Sequence, residues 1–161
     1  MTIQQPINAE GARALTAPPR ASLSFLAYIR GNGRDTGGLH VVELVVASGD
    51  ASPWHVHHDE DEWFYVIEGE LDVIVGDNRV HLVPGSFAYG PREIPHGFRI
   101  TGSTPARFLL ITNGSTFSDF IAEMSEPLAE AVLPGPVEPD LPKLVAAAKR
   151  YGMEILGPLP E

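Results

Sequence analysis

Short runs of branched and aromatic residues, each interrupted by glycine or proline, dominate the middle of this chain. The runs lie at residues 22–29, 40–47, 63–67, 71–75, 80–83, 87–89, 97–101 and 106–112. Such residues favour strands, and many short strands between turn residues favour a sandwich or barrel with antiparallel pairing. With 16 glycines and 15 prolines in 161 residues, turns must be frequent and long helices few. The sequence therefore predicts an all-β domain.

The two ends of the chain differ from this β-rich region. The first 20 residues are polar and contain three prolines, which predicts an extended arm. Two apolar stripes with helical spacing follow the strands, and Asp140 and Gly152 are suited to begin and end the second helix. The stripes consist of Phe117, Phe120, Ile121 and Met124, and of Leu144, Ala147, Ala148 and Tyr151. We predict an N-terminal arm at 1–20, a β-barrel domain at 21–115 and a C-terminal helical extension packed on the barrel at 116–161.

Charge and the absence of cysteine narrow the possible functions. The net charge of −10 opposes binding to phosphate backbones and anionic lipids, so we expect neither nucleic-acid nor membrane partners. The first residues lack the features of a secretory signal, and no uncharged apolar stretch reaches the roughly 18 residues of a transmembrane helix, which favours a cytoplasmic location. No cysteine is present, so a metal site must use histidine and carboxylate ligands.

Three histidines and one glutamate have a spacing that suits such a site. His55 and His57 are two residues apart, so their side chains share one face of a strand. Glu62 follows after a polar turn, which allows it to face inward with Phe64. His96 lies far along the chain and reaches the same place only if the sheet closes. Three neutral imidazoles and a carboxylate suit a divalent transition metal.

The other acidic residues and histidines near these positions are not expected to bind the metal. The acidic residues Asp59, Glu60 and Asp61 are alternatives to Glu62 as the carboxylate ligand, but a solvated turn is the favoured prediction for them. We expect His58 at the surface or behind the ligands, and His40 and His81 to be structural or exposed. Several aromatic residues are expected to fill the barrel or to line a substrate cavity: Phe64, Phe87, Tyr89, Phe98 and Phe108.

These motifs resemble those of the cupins. The first cupin motif fits without gaps, with its positions at Gly49, His55, His57, Glu62 and Gly69. The second is matched by Gly85, Pro91 and His96, whereas Glu93 and Ile100 replace its glycine and asparagine. The wider pattern is similar to small single-domain bacterial cupins described as quercetin 2,3-dioxygenase-like. The resemblance implies a double-stranded β-helix, the cupin jelly-roll barrel, with one or two peripheral C-terminal helices.

The same resemblance implies a metal-dependent function. His55, His57, Glu62 and His96 would hold one divalent ion (Fe, Mn, Co, Ni, Cu or Zn), and Glu62 would also act as the catalytic base. The leading hypothesis is a quercetinase-like dioxygenase acting on a small aromatic or enolic molecule with dioxygen, in a homodimer. The alternatives are a cupin isomerase, cyclase or decarboxylase, and a non-catalytic binding module. A long apolar cavity would favour the first hypothesis, whereas Arg92 or Arg99 turned inward would favour an anionic substrate.

Overall fold

A computed structural model describes residues 16–161, which form strands in two sheets and two helices. The strands are β1 (Arg20–Ser22), β2 (Phe25–Asn32), β3 (His40–Val46), β4 (Trp54–His57), β5 (Glu62–Glu68), β6 (Leu71–Val75), β7 (Asn78–Leu82), β8 (Phe87–Gly90), β9 (His96–Ile100), β10 (Ala106–Thr112), β11 (Ser125–Pro127) and β12 (Met153–Gly157). The helices are α1 (Phe117–Glu123) and α2 (Leu141–Arg150). Neither helix has the length and apolar character needed to cross a membrane.

The strands form two antiparallel sheets that enclose the core. The larger sheet has the order β11-β1-β2-β3-β10-β5-β8, and the smaller has the order β12-β4-β9-β6-β7. Phe64 and Phe108 from the larger sheet and Val73 and Phe98 from the smaller are all buried in one cluster. The predicted all-β jelly roll with C-terminal helices is confirmed.

Strand β5 shows how the sequence pattern separates the two faces of a sheet. Phe64 and Val66 are fully buried, whereas Tyr65 and Ile67 are about two-fifths exposed. Side chains alternate between the faces of a strand, so the inward position of Glu62 places Phe64 and Val66 inward as well. This is the alternation that the sequence predicts.

Gly69, at the end of the first motif, is required by space as well as by backbone conformation. Its φ is +78°, and a Cβ atom there would lie 2.7 Å from both the Ala106 Cα atom and the Pro105 carbonyl oxygen. Only glycine permits this close approach of the β5–β6 turn to the start of β10. The turn fixes the end of the strand that carries Glu62.

The C-terminal extension belongs to both sheets. Strand β11 pairs with β1, and β12 pairs with β4, which carries two of the candidate ligands. Sequence analysis predicted the two helices of this segment but neither of these strands. The prediction that Asp140 caps α2 is confirmed, because its side chain accepts a hydrogen bond of 3.0 Å from the Lys143 backbone N–H.

The N-terminal boundary is only partly within the described residues. Residues 1–15 of the predicted arm lie outside them, and Arg20 already belongs to β1. The Arg20 guanidinium donates to the backbone oxygens of Ala122 and Ser125 at 3.0 and 2.8 Å. These bonds attach the first strand to the last turn of α1 and to β11.

Candidate metal centre

Four side chains from three strands converge between the sheets. His55 and His57 lie on β4, and His55 pairs directly with His96 on the neighbouring strand β9. Glu62 is the first residue of β5 in the opposite sheet. Because β4 and β5 belong to different sheets, the polar turn between them brings Glu62 to face the histidines from the other side. The convergence therefore depends on the closed arrangement of the two sheets.

The potential ligand atoms of these residues are close enough to share one ion. One donor atom from each of the four residues lies within 4.8 Å of the others. His57, His96 and Glu62 are buried. His55 is half-buried, and it lines a cavity that is partly open to solvent. The group is thus sheltered and open to a small molecule on one side.

Two of the rings are oriented by backbone carbonyl oxygens. The Nδ1 atom of His55 lies 2.8 Å from the Pro53 oxygen, and that of His96 lies 2.9 Å from the Ile94 oxygen. A carbonyl oxygen can only accept, so each Nδ1 carries the hydrogen in these bonds. The lone pair of a neutral ring is then on Nε2, where it is available to a metal.

The third ring, His57, is oriented by a carboxylate that sequence analysis placed in a solvated turn. That prediction is wrong for Glu60, which is 2% exposed and has its Oε1 atom 3.1 Å from His57 Nδ1. The prediction suits the exposed Asp59. Asp61 instead pairs with Arg92 at 3.1 Å, and this guanidinium holds the pKa of the Asp61 carboxyl well below its usual range.

The polar atoms of the site fit a divalent transition metal. The Nε2 atoms of His57 and His96 are buried and have no hydrogen-bond partner within residues 16–161. Glu62 Oε2 lies 2.9 Å from His96 Nε2, an ion-pair contact without the alignment of a hydrogen bond. Leaving buried polar atoms unpaired is costly, and imidazole nitrogens beside a carboxylate match the preferences of such metals.

Burial and mutual contact shift the charges of these groups. Burial, aided by the neighbouring imidazoles, lowers the pKa of His55 to about 3. Burial acts to raise the pKa of Glu62, but the contact with His96 and the other histidines outweigh it and lower that pKa to about 2. Burial acts to lower the pKa of His96, but its contact with Glu62 raises it overall. At neutral pH the site therefore offers an ionised carboxylate and a neutral His55.

An apolar cavity of about 90 Å³ adjoins the candidate ligands. His55 and Glu62 are among its polar lining residues, and the helices contribute Phe117, Phe120 and Leu144. No lysine or arginine of the described residues lines it. Arg92 is bound to Asp61, and Arg99 lines a neighbouring outer groove instead.

The predicted aromatic residues separate into three groups. Phe98 lines the cavity. Phe64 and Phe108 are buried in the core but do not line it. Phe87 and Tyr89, on β8, are 60% and 50% exposed, so they neither fill the barrel nor line the cavity. The expectation for these last two is wrong, because their cross-strand partners on β5 belong to the outer face of the sheet.

Sequence analysis missed several residues that line the cavity. Phe117, Phe120 and Ile121 come from α1, and Phe25 comes from β2. The helical spacing of the first three indicated an apolar face, but nothing in the sequence said what that face would cover. Their position became evident only from the packing of α1 against β2 and β3.

The remaining histidines lie away from this centre. His40 is buried, with its Nδ1 atom 2.7 Å from the Ser118 hydroxyl on α1, which is a structural role. His58 lies at the surface with Nδ1 3.1 Å from Glu93. His81 is exposed, and its Nδ1 atom is 2.8 Å from Asp72.

Comparison with known proteins identifies the family of the β-domain. Residues 42–112 match the family model of the cupin domain. The chain is 38% identical over 76 residues to the quercetin 2,3-dioxygenase of Bacillus subtilis (strain 168), and the match covers 47% of this chain and 23% of that protein. The chain thus spans about a quarter of the length of this curated relative.

Solved structures show the same fold. A sugar phosphate isomerase of the cupin superfamily from Silicibacter pomeroyi matches with 25% identity and a TM-score of 0.51, over 56% of this chain and 59% of that chain. A predicted oxalate decarboxylase from Thermotoga maritima has 18% identity and a TM-score of 0.56, over 62% of this chain and 93% of that one. Together with the family model and the convergence of the two motifs on one site, these similarities show that residues 42–112 form a cupin domain.

Proposed function

We propose that this protein is a metal-dependent dioxygenase of a small aromatic or enolic molecule. The observation that carries the proposal is the apolar cavity that ends at His55 and Glu62, two members of the candidate metal group. A cavity of this kind accepts an uncharged ring and presents it to the polar group at one end. The partial similarity to quercetin 2,3-dioxygenase supports the same substrate class.

The charges around the cavity disfavour the anionic substrates of other cupin chemistries. An acid or a phosphate entering the cavity would approach the ionised Glu62 with only the bound ion to compensate its charge, because no lysine or arginine of residues 16–161 lines the cavity. A buried anion without hydrogen-bonding cations of the protein is costly. An uncharged phenol or enol avoids that cost until it is deprotonated at the site.

The size of the cavity indicates how such a substrate would lie. At about 90 Å³ the cavity is smaller than the pockets of roughly 300–1,000 Å³ that enclose drug-sized ligands. A groove of about 740 Å³ adjoins it, and Phe25, Pro53 and Ile155 belong to the walls of both. We infer that the reacting ring occupies the cavity while any larger part of the molecule lies in the groove.

The candidate ligands and the side chains of α1 would have different roles in the reaction. His55, His57, His96 and Glu62 would hold a divalent ion, which when bound polarises the substrate oxygen and makes its hydroxyl more acidic. Glu62 is ionised, so its carboxylate can accept the hydroxyl proton. The apolar side chains of α1 exclude water from the deprotonated substrate.

Oxygen consumption tests this proposal directly. The metal-free protein is loaded in turn with Fe, Mn, Co, Ni, Cu or Zn and mixed with flavonols and catechols in an oxygen electrode. We expect uptake with at least one ion, reduced at least about 100-fold in Glu62→Gln, since a positioned general base contributes about 10²–10⁴-fold. His81→Gln, a change at the surface, is the control and keeps full activity. Bound metal without oxygen uptake for any ion would contradict the dioxygenase and favour a non-oxygenase cupin.

A further inference from the structure

Glu60 is a buried carboxylate whose side chain faces the back of a candidate ligand. It is 2% exposed, and its Oε1 atom lies 3.1 Å from His57 Nδ1. Its other oxygen, Oε2, is buried and has no hydrogen-bond partner within residues 16–161. A buried carboxylate normally has a cation or several donors, because its desolvation is costly. The side chain is therefore held at His57 in spite of an incomplete set of partners.

The chain makes room for this carboxylate with a glycine. A Cβ atom on Gly114 would lie 2.2 Å from Glu60 Oε2 and 2.4 Å from Glu60 Cβ, so any other residue there would displace the side chain. The neighbouring residues are also joined, since the Asp61 backbone N–H donates to Asn113 Oδ1 at 2.9 Å. The turn after β4 and the turn after β10 together form a fixed pocket for Glu60.

The three candidate histidine ligands differ in the group that accepts a hydrogen bond from their Nδ1 atoms. His55 and His96 have backbone carbonyl oxygens, whereas His57 has a carboxylate. A carboxylate is the stronger acceptor, and a ring that donates to it becomes a better electron donor at its other nitrogen. The His57 Nε2 atom is the one that this pairing leaves bare and buried beside His96 and Glu62.

We propose that Glu60 is a positioning residue that fixes His57 as the Nδ1–H tautomer and strengthens its Nε2 atom as a metal ligand. The proposal rests on the metal centre proposed above. Glu60 lies on the Nδ1 side of His57 and is not part of the group of four donors, so it acts through the ring and does not bind the ion. Partners of this kind typically change metal affinity by 10- to 100-fold.

The affinity for Co²⁺, measured by competition with a chelator, tests the proposal in the whole chain. We expect Glu60→Leu to bind Co²⁺ about 10- to 100-fold more weakly than the wild type. Glu60→Gln keeps an oxygen acceptor and should lose less. Gly114→Ala retains the Glu60 carboxylate but displaces it from His57. This variant should therefore weaken Co²⁺ binding as Glu60→Leu does. Asp59→Asn, in the same turn but exposed, is the matched control and keeps wild-type affinity.

The tautomer of His57 separates a positioning role from a merely structural one. In ¹⁵N NMR of the metal-free wild type, we expect the His57 hydrogen on Nδ1, and a mixture of tautomers in Gly114→Ala. This measurement also decides the matter if Glu60→Leu does not fold. A wild-type ring carrying its hydrogen on Nε2, or a folded Glu60→Leu with Co²⁺ affinity within twofold of the wild type, would overturn the role of Glu60.

The outcomes also distinguish this role from the proposed activity. A loss of Co²⁺ affinity in the Glu60 variants, together with no oxygen uptake by the wild type, would support the role of Glu60 and contradict the dioxygenase. A wild-type protein that binds no Co²⁺ would overturn both. Oxygen uptake with unchanged affinity in Glu60→Leu would contradict only the role of Glu60.

Discussion

Two adjacent histidines, His57 and His58, show how differently the interior and the surface of this molecule treat the same side chain. His57 is buried between the sheets, with one nitrogen on Glu60 and the other without a hydrogen-bond partner within residues 16–161. The side chain of His58 is 41% exposed, with carboxylates beside both nitrogens, Glu93 at 3.1 Å and Glu154 at 3.4 Å. A shift of one residue along the chain separates a candidate ligand from a surface ion pair.

The pKa values of His58 at the surface and of His55 in the candidate metal group shift in opposite directions. The hydrogen bond with Glu93 raises the pKa of His58, so this ring keeps its proton to a higher pH than a free imidazole does. Burial lowers the pKa of His55 to about 3, so that ring stays neutral and keeps a lone pair for a metal. Histidine count alone therefore indicates little about metal binding. What matters is whether a nitrogen is left bare in a place that excludes water.

Removing a histidine from each region should produce the largest difference. His96→Ala deletes a buried donor of the group of four, so we expect metal affinity to fall by more than the 10- to 100-fold typical of partners behind the ligands. His81→Ala deletes an exposed ring and should leave affinity unchanged. Metal content after dialysis, measured by mass spectrometry, checks both. Full retention of metal by His96→Ala would contradict the distinction between buried candidate ligands and surface histidines.

Truncation of a buried and of an exposed phenylalanine should change the free energy of unfolding by different amounts. Phe98 is 3% exposed, and truncation of such a side chain to alanine costs about 3–5 kcal/mol. Phe87 is 60% exposed, so Phe87→Ala should change the free energy of unfolding by no more than about 0.5 kcal/mol. Urea unfolding of the metal-free protein measures both. Equal costs would show that the assignment of inner and outer faces is wrong.

Metal binding should release a proton from the buried site. Glu62 raises the pKa of His96 above its usual value of about 6.5, so the metal-free ring is mostly protonated at that pH and must become neutral to bind. We expect at least about half a proton per ion at pH 6.5 and less at pH 9. Calorimetry in buffers of different ionisation enthalpy counts the protons, and no release at pH 6.5 would contradict the coupling of His96 to Glu62.

The surface pair of His58 should have the smallest effect, with a defined dependence on pH. Because its folded-state pKa is raised, the ion pair stabilises the protein below the unfolded pKa of about 6.5 and is lost as pH rises through the folded value. His58→Gln should therefore cost at most about 1 kcal/mol at pH 5, as for other exposed pairs, and less at pH 9. Urea unfolding at the two pH values checks this, and an equal cost at both would contradict it.

Much of the fold and of the candidate site was predictable because the signals are local. Alternation along β5 placed Phe64 and Val66 inward, and motif spacing grouped His55 with His57. The burial of Glu60 was not predictable, because it depends on Gly114, which the chain brings back from more than fifty residues away.

Long-range pairing also explains the other differences. Strand β12 pairs with β4 at the edge of the smaller sheet, and its five residues are too short a segment to indicate that partner. Phe87 and Tyr89 are exposed because they pair with Tyr65 and Trp63 on the outer face of β5, a register that composition does not reveal. The pairing of β12 and the exposure of the two aromatic residues both depend on residues that are distant in sequence.

X-ray absorption spectroscopy of the ion-loaded protein tests the central claim most directly, because it counts the imidazoles bound to the metal. The account predicts three imidazole nitrogens and a carboxylate oxygen in the wild type, from His55, His57, His96 and Glu62. His58→Ala should give the same spectrum, whereas His57→Ala should lose one imidazole or the ion itself. A wild-type spectrum with one imidazole or none, or a change in His58→Ala equal to that in His57→Ala, would contradict the buried metal centre.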